Sequence, residues 1–569
     1  MKLVPGMQKG LLVLCISVVM STAFFCAGQV SPSGGPPDTT PPEIINTYPV
    51  PGTLHFQDTR ISLQFSKYVD KSRLQESIFI SPPVGRLRFE WGGAGVEIKF
   101  ADSLRADATY IVTIGTDLVD TRNNRMAKAF SLPFSTGDHI DSASISGRVF
   151  DANPEGVTIF AYGLDRRKAD TLNPARTRPD YVTQTGKDGT FALTYLALGN
   201  YRIFAVHDEY KNYLYDPQTD RYGIAPGDLQ LSGARHSVSG IQFQMADEDT
   251  TPPFLSSARA LDRTHVLLRF SEAMDTTAFA TGALIADTID HVKLAVDNVS
   301  FTGESSLQAQ LVTASQDSSK TYRVTLIGWK DLHGNRLLEP SGSGVFAGAA
   351  TPDTSKPVMN LPGIADSASN VQTDDTVRLV FSEAIRTGSF ERGFRFLDSA
   401  RQNVGGTAHW DKSTAFSFLP SPPLSFGVRY TLRVEMDSVM DFAGNHFHDS
   451  IWVRHFQTVQ KESLGSIEGT VADDEDAARG PIRLIAAELS RKQMNPYRTA
   501  LEKPGTFLLE NILEGSYVLS GFRDSDSDGV YTPGRPYPFS PSERFVIYPE
   551  TLSVRARWPL EGVQVHFKK

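Results

Sequence analysis

Cysteine is almost absent from this chain of 569 residues. The two cysteines, Cys15 and Cys26, both lie in the hydrophobic N-terminal segment, so we expect no disulfide and no zinc-thiolate site in the rest of the chain. Basic clusters are also missing and the formal net charge is -9, which argues against a nucleic-acid partner. Sustained helical periodicity is missing after residue 26, whereas 45 glycines and 34 prolines suit short strands joined by turns. The composition therefore predicts a mainly β protein.

The N-terminal segment is typical of an export signal. Lys2 and Lys9 are followed by an apolar run from Leu11 to Phe25, which is too short to span a membrane comfortably. The segment resembles a bacterial lipoprotein signal peptide, covering residues 1–27, in which Cys26 would be lipidated and become the first mature residue. A plain secretory signal with an incidental cysteine is the alternative. Residues 28–42 have almost nothing to bury and are predicted to be a linker.

The lipoprotein resemblance also implies a location. It places the chain in the cell envelope, as an outer-membrane lipoprotein with a lipid anchor as its membrane partner. The residues directly after Cys26 include no acidic group, which departs from the surface-export signal of Bacteroidota lipoproteins. We therefore expect the protein to face the periplasm rather than the cell surface.

Three segments repeat one pattern along the chain. Each begins with a seam rich in Asp, Thr and Pro, and each continues with a strand-like run that ends in Phe-Ser-Lys or Phe-Ser-Glu. A late strand that begins with Tyr and a turn rich in Asp, Gly and Asn complete each copy. The seams are Asp38–Pro42, Asp249–Pro253 and Asp353–Pro357; the phrases are Phe65–Lys67, Phe270–Glu272 and Phe381–Glu383; the turns are Asp120–Asn124, Asp331–Asn335 and Asp441–Asn445. The copies resemble the bacterial Ig-like domain of surface-layer proteins and envelope lipoproteins, which implies β-sandwiches at residues 43–137, 251–350 and 356–460.

A second repeat has a constant offset of 316 residues. Gly189-Thr190-Phe191, Gly199 and Tyr201 match Gly505-Thr506-Phe507, Gly515 and Tyr517 at that offset. These copies, at residues 141–247 and 464–569, resemble transthyretin-like or carboxypeptidase-regulatory-like domains, which are seven-stranded Greek-key sandwiches. The predicted fold is thus a tandem array of immunoglobulin-like and transthyretin-like β-sandwiches. Because prolines at the seams disfavour a continuous sheet, we expect an elongated, end-to-end arrangement of five modules.

One loop of the last module has the spacing of a calcium ligand set. Asp524, Asp526 and Asp528 alternate before Gly529, as in the first half of an EF-hand loop, where Val530 would supply a backbone carbonyl. The twelfth position is Arg535 rather than Glu, so weak calcium binding is predicted. A solvated hairpin turn is the alternative. The sister loop around Asp208 has lost most of this charge, and no ion is expected there.

Thr39 and Thr250 belong to Asp-Thr triplets at two seams. Such triplets are similar to the acceptor for O-glycosylation of exported proteins in the Bacteroidota, so these two threonines are candidate glycan sites. Asp-Thr also starts turns and strands, which is the purely structural alternative.

No catalytic motif with the spacing that its mechanism requires is present in the sequence. No catalytic residue is therefore predicted, and no cofactor beyond the possible calcium. The sequence favours a non-catalytic envelope scaffold or interaction array with an envelope protein or glycan partner. Two alternatives remain: a surface receptor that binds carbohydrate or protein through loops at one end of a sandwich, and an enzyme with an unrecognised site.

Overall fold

The computed structural model describes residues 38–165, 167–276, 282–302, 306–475, 479–490 and 495–568. Strands dominate these residues and form paired sheets, so the predicted mainly β tandem array is confirmed. Within the described ranges, no helix has the length and apolar character needed to cross a membrane. Cys26, and with it the predicted anchor, lies outside the described residues.

The first module is a sandwich of a four-stranded and a three-stranded sheet, ordered β1-β2-β5-β4 and β3-β6-β7. Apolar residues alternate along β2, so that Ile61, Leu63 and Phe65 all face the core. The short helix α1, Lys71–Ser77, begins at Asp70, whose side chain accepts from two backbone amides of the first turn. The strands are β1 Ile44–Tyr48, β2 Arg60–Phe65, β3 Ile78–Ser81, β4 Leu87–Gly92, β5 Gly95–Phe100, β6 Thr109–Ile114 and β7 Phe130–Ser135.

The third and fourth modules each contain two four-stranded sheets. The third has the orders β16-β17-β21-β20 and β19-β18-β22-β23, and the fourth has β24-β26-β29-β28 and β25-β31-β30-β27 with helix α2, Thr387–Gly393. The strands of the third are β16 Leu255–Ala260, β17 His265–Phe270, β18 Ala283–Asp287, β19 Lys293–Leu294, β20 Val296–Thr302, β21 Gln308–Thr313, β22 Thr321–Leu326 and β23 Ser343–Ala347. Those of the fourth are β24 Met359–Asn360, β25 Ala368–Val371, β26 Val377–Phe381, β27 Phe394–Leu397, β28 Gly406–Asp411, β29 Ala415–Pro420, β30 Arg429–Glu435 and β31 Ile451–Thr458.

The second and fifth modules share one topology, as the constant offset predicts. Each contains eight described strands rather than the seven that the resemblance implies: a three-stranded sheet with one parallel pair packs on a five-stranded sheet. The second has β8 Ala143–Phe150, β9 Thr158–Gly163, β10 Tyr181–Gln184, β11 Thr190–Leu196, β12 Gly199–Val206, β13 Tyr222–Ile224, β14 Leu229–Leu231 and β15 Ser237–Gln244. The fifth has β32 Leu464–Asp473, β33 Ile482–Glu488, β34 Tyr497–Leu501, β35 Gly505–Leu513, β36 Gly515–Arg523, β37 Phe545–Ile547, β38 Leu552–Val554 and β39 Pro559–Phe567.

The fifth module returns to contact the second, and this corrects the expected end-to-end string. The side chain of Phe539 packs against an aromatic cluster on the outer face of the five-stranded sheet of the second module. Tyr222 donates its hydroxyl to the carbonyl of Gly534, and the rings of Phe150 and Phe545 meet edge to face. The seams separate the modules along the chain, but they do not prevent distant modules from packing together.

Candidate functional sites at the seams and in the acidic loop

The Phe-Ser phrase fastens the start of each Ig-like module. Its phenylalanine lies in the core, and its serine pairs twice with the residue just after the seam. In the fourth module, the backbone amide of Ser382 donates to the carbonyl of Val358 at 2.9 Å, and its Oγ accepts from the Val358 amide at 2.9 Å. Ser66 makes the same pair with Glu43, and Ser271 makes it with Phe254.

The turn rich in Asp and Asn closes on the seam in all three Ig-like modules. In the third module, Oδ1 of Asp331 accepts from the amides of His333 and Asn335, which fixes the turn. The Asn335 side-chain amide then donates to Asp331 Oδ2 at 2.8 Å and to the carbonyl of Asp249 at 2.9 Å. Asn124 makes the equivalent bonds to Asp120 and Asp38, and Asn445 makes them to Asp441 and Asp353. We call this arrangement the seam lock.

The third residue of the phrase differs in charge between modules. In the first module it is Lys67, whose ammonium lies 2.7 Å from Asp38 Oδ2 and 3.5 Å from Asp120 Oδ2. The hydrogen bond that Lys67 donates to Asp38 holds the pKa of Asp38 well below its usual range. An ammonium group thus bridges the seam carboxylate and the turn carboxylate of this seam lock.

In the third and fourth modules, a glutamate occupies that position and the carboxylates meet one another. The pKa of Glu272 is raised to about 7, mainly because the group is buried and secondly because it shares a hydrogen bond with Asp249. Burial and the charges of Asp441, Asp353 and Asp262 raise the pKa of Glu383 to about 8. Oxygens of Asp353, Glu383 and Asp441 all lie within 4.8 Å of one another. The sequence analysis missed this cluster, although the change from Lys67 to Glu383 within one repeated phrase was a visible signal.

The acidic loop brings the three predicted aspartates together. Carboxylate oxygens of Asp524, Asp526 and Asp528 lie within 4.8 Å of one another. Asp524 is fully buried; its Oδ2 accepts from Arg483 Nε at 2.8 Å and from the Gly529 amide at 3.1 Å. Its Oδ1 is buried, and no group in the described part of the chain donates a hydrogen bond to it. Such an oxygen is suited to a cation.

The remaining predicted ligands of the acidic loop are exposed. Asp526, Asp528 and Val530 all lie at the surface, and the Val530 amide donates to Asp528 Oδ1 at 2.7 Å. Glu543, which the sequence analysis did not single out, closes the loop instead of an EF-hand glutamate. Its carboxylate accepts from the amides of Ser525 and Thr532, and burial raises its pKa.

The sister loop satisfies its carboxylate within the backbone. Asp208 accepts from the amide of Asn212 through Oδ1 and from that of Tyr213 through Oδ2. Tyr213 and Gly529, which are equivalent at the offset of 316, both adopt positive φ, 59° and 80°. The two loops therefore share a backbone turn, while only the acidic loop leaves a buried oxygen without a donor among the described residues.

The candidate glycan acceptors are accessible. Thr39 and Thr250 are both exposed, and each directly follows a seam aspartate. The structure therefore places them at the surface, beside the seam locks of the first and third modules.

Comparison with known proteins supports the Ig-like assignment of the first and fourth modules. Residues 38–136 and 353–458 match the family model described as bacterial Ig-like domain. Two segments of the chain are thus similar to bacterial Ig-like domains. No curated protein matches the sequence.

Several solved structures show weak similarity. The N-terminal part of the bacterial S-layer protein SbsC is 17% identical with a TM-score of 0.17, over 36% of this chain and 44% of that one. A second SbsC structure is 9% identical over 91% of this chain and 67% of that one, with a TM-score of 0.16. An L,D-transpeptidase from Mycobacterium smegmatis is 11% identical over 36% and 90%, with a TM-score of 0.14. The chain spans less than half the length of the first of these structures.

Proposed function

We propose that this protein is a non-catalytic scaffold of the bacterial cell envelope that holds its modules in a fixed arrangement for an envelope protein or glycan partner. The seam lock carries this proposal, because the same hydrogen bonds fix the start of all three Ig-like modules. A flexible tether would not need an asparagine that joins each turn to its seam. The matches to bacterial Ig-like domains support the envelope location.

The scaffold role is tested by crosslinking in intact cells. The wild type should trap a defined set of envelope partners. The double variant Asn335→Ala, Asn445→Ala removes the side-chain amides of two seam locks while leaving both module cores intact, and it should lose that set. Asn360→Ala, at an exposed position of the fourth module, is the matched control and should keep the set. An unchanged partner set in the double variant would show that fixed seams are not needed.

The proposed anchor is a lipid on Cys26, with the folded modules facing the periplasm. A cysteine between a hydrophobic run and a Gly, Ser and Pro spacer supports this assignment. Growth with a fatty-acid analogue should label the wild type and leave Cys26→Ala unlabelled. Protease added to intact cells should leave the modules uncut. A soluble, unlabelled wild type would refute the lipid anchor. Cleavage of the modules by external protease would refute the periplasmic orientation.

Calcium in the acidic loop is the proposed ligand of the fifth module. Asp524 Oδ1 is buried and has no donor among the described residues, and the carboxylates of Asp526 and Asp528 are adjacent to it; these features support a site for a hard cation. Arg483 already neutralises part of this charge, so the affinity should be weak. The ion would order a loop whose carboxylates otherwise repel one another.

Glycans at Thr39 and Thr250 are the proposed modification. Both hydroxyl groups are on exposed residues beside the proline struts of their seams. The protein purified from its native envelope should be heavier than residues 26–569 with their lipid, and the excess mass should fall in Thr39→Val and Thr250→Val. A mass equal to that of the lipidated polypeptide would exclude the modification.

A further inference from the structure

Glu383 is an acid buried among other acids at the seam between the third and fourth modules. Only 8% of the residue is exposed, and it receives no hydrogen bond from any residue that the structure describes. The neighbouring Asp441 is fully buried but accepts from the amides of Gly444 and Asn445 and from the Asn445 side chain. Glu383 has no such compensation. Burial of a carboxylate without a partner is costly, so the surroundings of Glu383 favour a positive charge beside it.

In the first module, a lysine supplies such a positive charge. There the equivalent residue is Lys67, and its ammonium lies between Asp38 and Asp120, which correspond to Asp353 and Asp441. The surrounding seam lock is the same in both modules, down to the asparagine that joins turn and seam. Replacement of the lysine by a glutamate removes one cation from the site and adds one more oxygen ligand.

We propose that the seam between the third and fourth modules binds a divalent cation of the calcium type through Asp353, Glu383 and Asp441. Three carboxylates whose oxygens lie within 4.8 Å of one another are the hard ligands that calcium prefers. This site lies outside the acidic loop and goes beyond the scaffold role.

The same site reaches into the third module. His265 Nδ1 lies 2.9 Å from Asp262 Oδ2 and 3.7 Å from Asp353 Oδ2, so the imidazole is held by Asp262 and faces the seam. The amide of Arg263 also donates to the carbonyl of Thr351. A cation at Asp353 therefore acts on groups from both modules, and its binding stiffens the joint between them.

The test uses the full chain carrying Asp526→Asn and Asp528→Asn, so that the acidic loop does not contribute. Equilibrium dialysis against radioactive calcium counts the bound ions, and thermal melting with calcium or chelator reports their effect. Relative to this parent, Glu383→Lys should bind one ion fewer, because the ammonium takes the place of the cation. Glu383→Gln keeps the shape and should bind about tenfold more weakly or worse. Glu561→Lys, an exposed site in the fifth module, makes the same change of charge and should bind like the parent.

The reciprocal variant tests the internal comparison. Lys67→Glu recreates the fourth-module ligand set in the first module and should add one calcium ion per chain. Equal calcium binding by the parent, Glu383→Lys and Glu383→Gln would overturn the proposal. So would a parent that binds no calcium at millimolar concentration, since Glu383 would then be accommodated as the neutral acid. If Glu383→Lys does not fold, the nearly isosteric Glu383→Gln decides the question.

Discussion

Ser542 donates its hydroxyl to the backbone carbonyl of Ile224, at 2.9 Å across 318 residues of sequence. Both residues are buried, and beside them Arg202 lies 3.5 Å from the centre of the Phe539 ring. The contact joins the two modules that share a topology. The chain runs from the second module through the third and fourth to the fifth, and the fifth packs directly against the second. These four modules therefore form a closed ring.

Phe539→Ala should weaken the contact between the second and fifth modules and so open this ring. The ring meets Phe204 edge to face and lies under the Arg202 guanidinium, so its loss should cost about 1–3 kcal/mol at the joint. Hydrogen exchange of the amides of β13 should rise, because this edge strand carries the contact. Trp558→Ala, at a side chain that is 71% exposed in the same module, is the control and should change little. Unchanged exchange in Phe539→Ala would show that the ring does not hold the joint.

Asn335→Ala should loosen the seam before the third module. The substitution removes two hydrogen bonds, to Asp331 and Asp249, and should cost about 1–2 kcal/mol. Urea unfolding of the full chain should show an earlier first transition, while the exposed Asn360→Ala should leave it in place. Coincident curves for Asn335→Ala and the wild type would contradict the seam lock as a stabilising element.

Asp117 should make the joint of the first and second modules sensitive to acid. Burial alone would raise its pKa, but Lys211, Gln184 and Arg125 outweigh burial and hold the pKa below the usual 3.8. A depressed carboxylate pKa contributes stability that is fully present above about pH 4 and is lost as the pH falls through the lower folded value. The stability of Asp117→Asn should therefore depend less on pH below about 4. Parallel profiles for the variant and the wild type would contradict this linkage.

Calcium should raise the melting temperature of the fifth module through the acidic loop. The shift between calcium and chelator should disappear in Asp526→Asn, Asp528→Asn, because these changes remove two ligand charges next to Asp524. Both chains also carry Glu383→Lys, so that the proposed cation site at the seam does not contribute to the shift. Asp208→Asn, in the sister loop, is the matched control and should leave the calcium shift intact even if it lowers stability. An equal shift in the double variant would exclude the acidic loop as its source.

Local repeats in the sequence predicted much of the fold. The alternation in the runs ending at Phe65, Phe270 and Phe381 predicted core strands, because period two places every second side chain on the buried face. The shared offset of 316 predicted two modules with one topology, and their sheets agree strand for strand. Each of these signals lies within one module, where sequence neighbours are also spatial neighbours.

The contacts between modules could not be predicted in this way. Ser542 and Ile224 belong to surfaces whose pairing depends on how three intervening joints are oriented, and no periodicity encodes that. The acidic loop was found because its ligands alternate within five residues, whereas Asp353 and Asp441 are 88 positions apart. Pro-rich seams suggested module boundaries, yet the further inference of an end-to-end string was wrong, because the fifth module packs against the second.

In the proposed scaffold, the modules keep one fixed arrangement. The only cysteines of the chain are Cys15 and Cys26, so spin labels can be placed cleanly at two new cysteines in a Cys15→Ser, Cys26→Ser background. Leu198→Cys in the second module and Leu508→Cys in the fifth are both at exposed positions. Pulsed electron–electron double resonance should give one narrow distribution of the distance between the two labels. This distribution should broaden when Phe539→Ala is added. A broad distribution in the chain without Phe539→Ala would contradict the account.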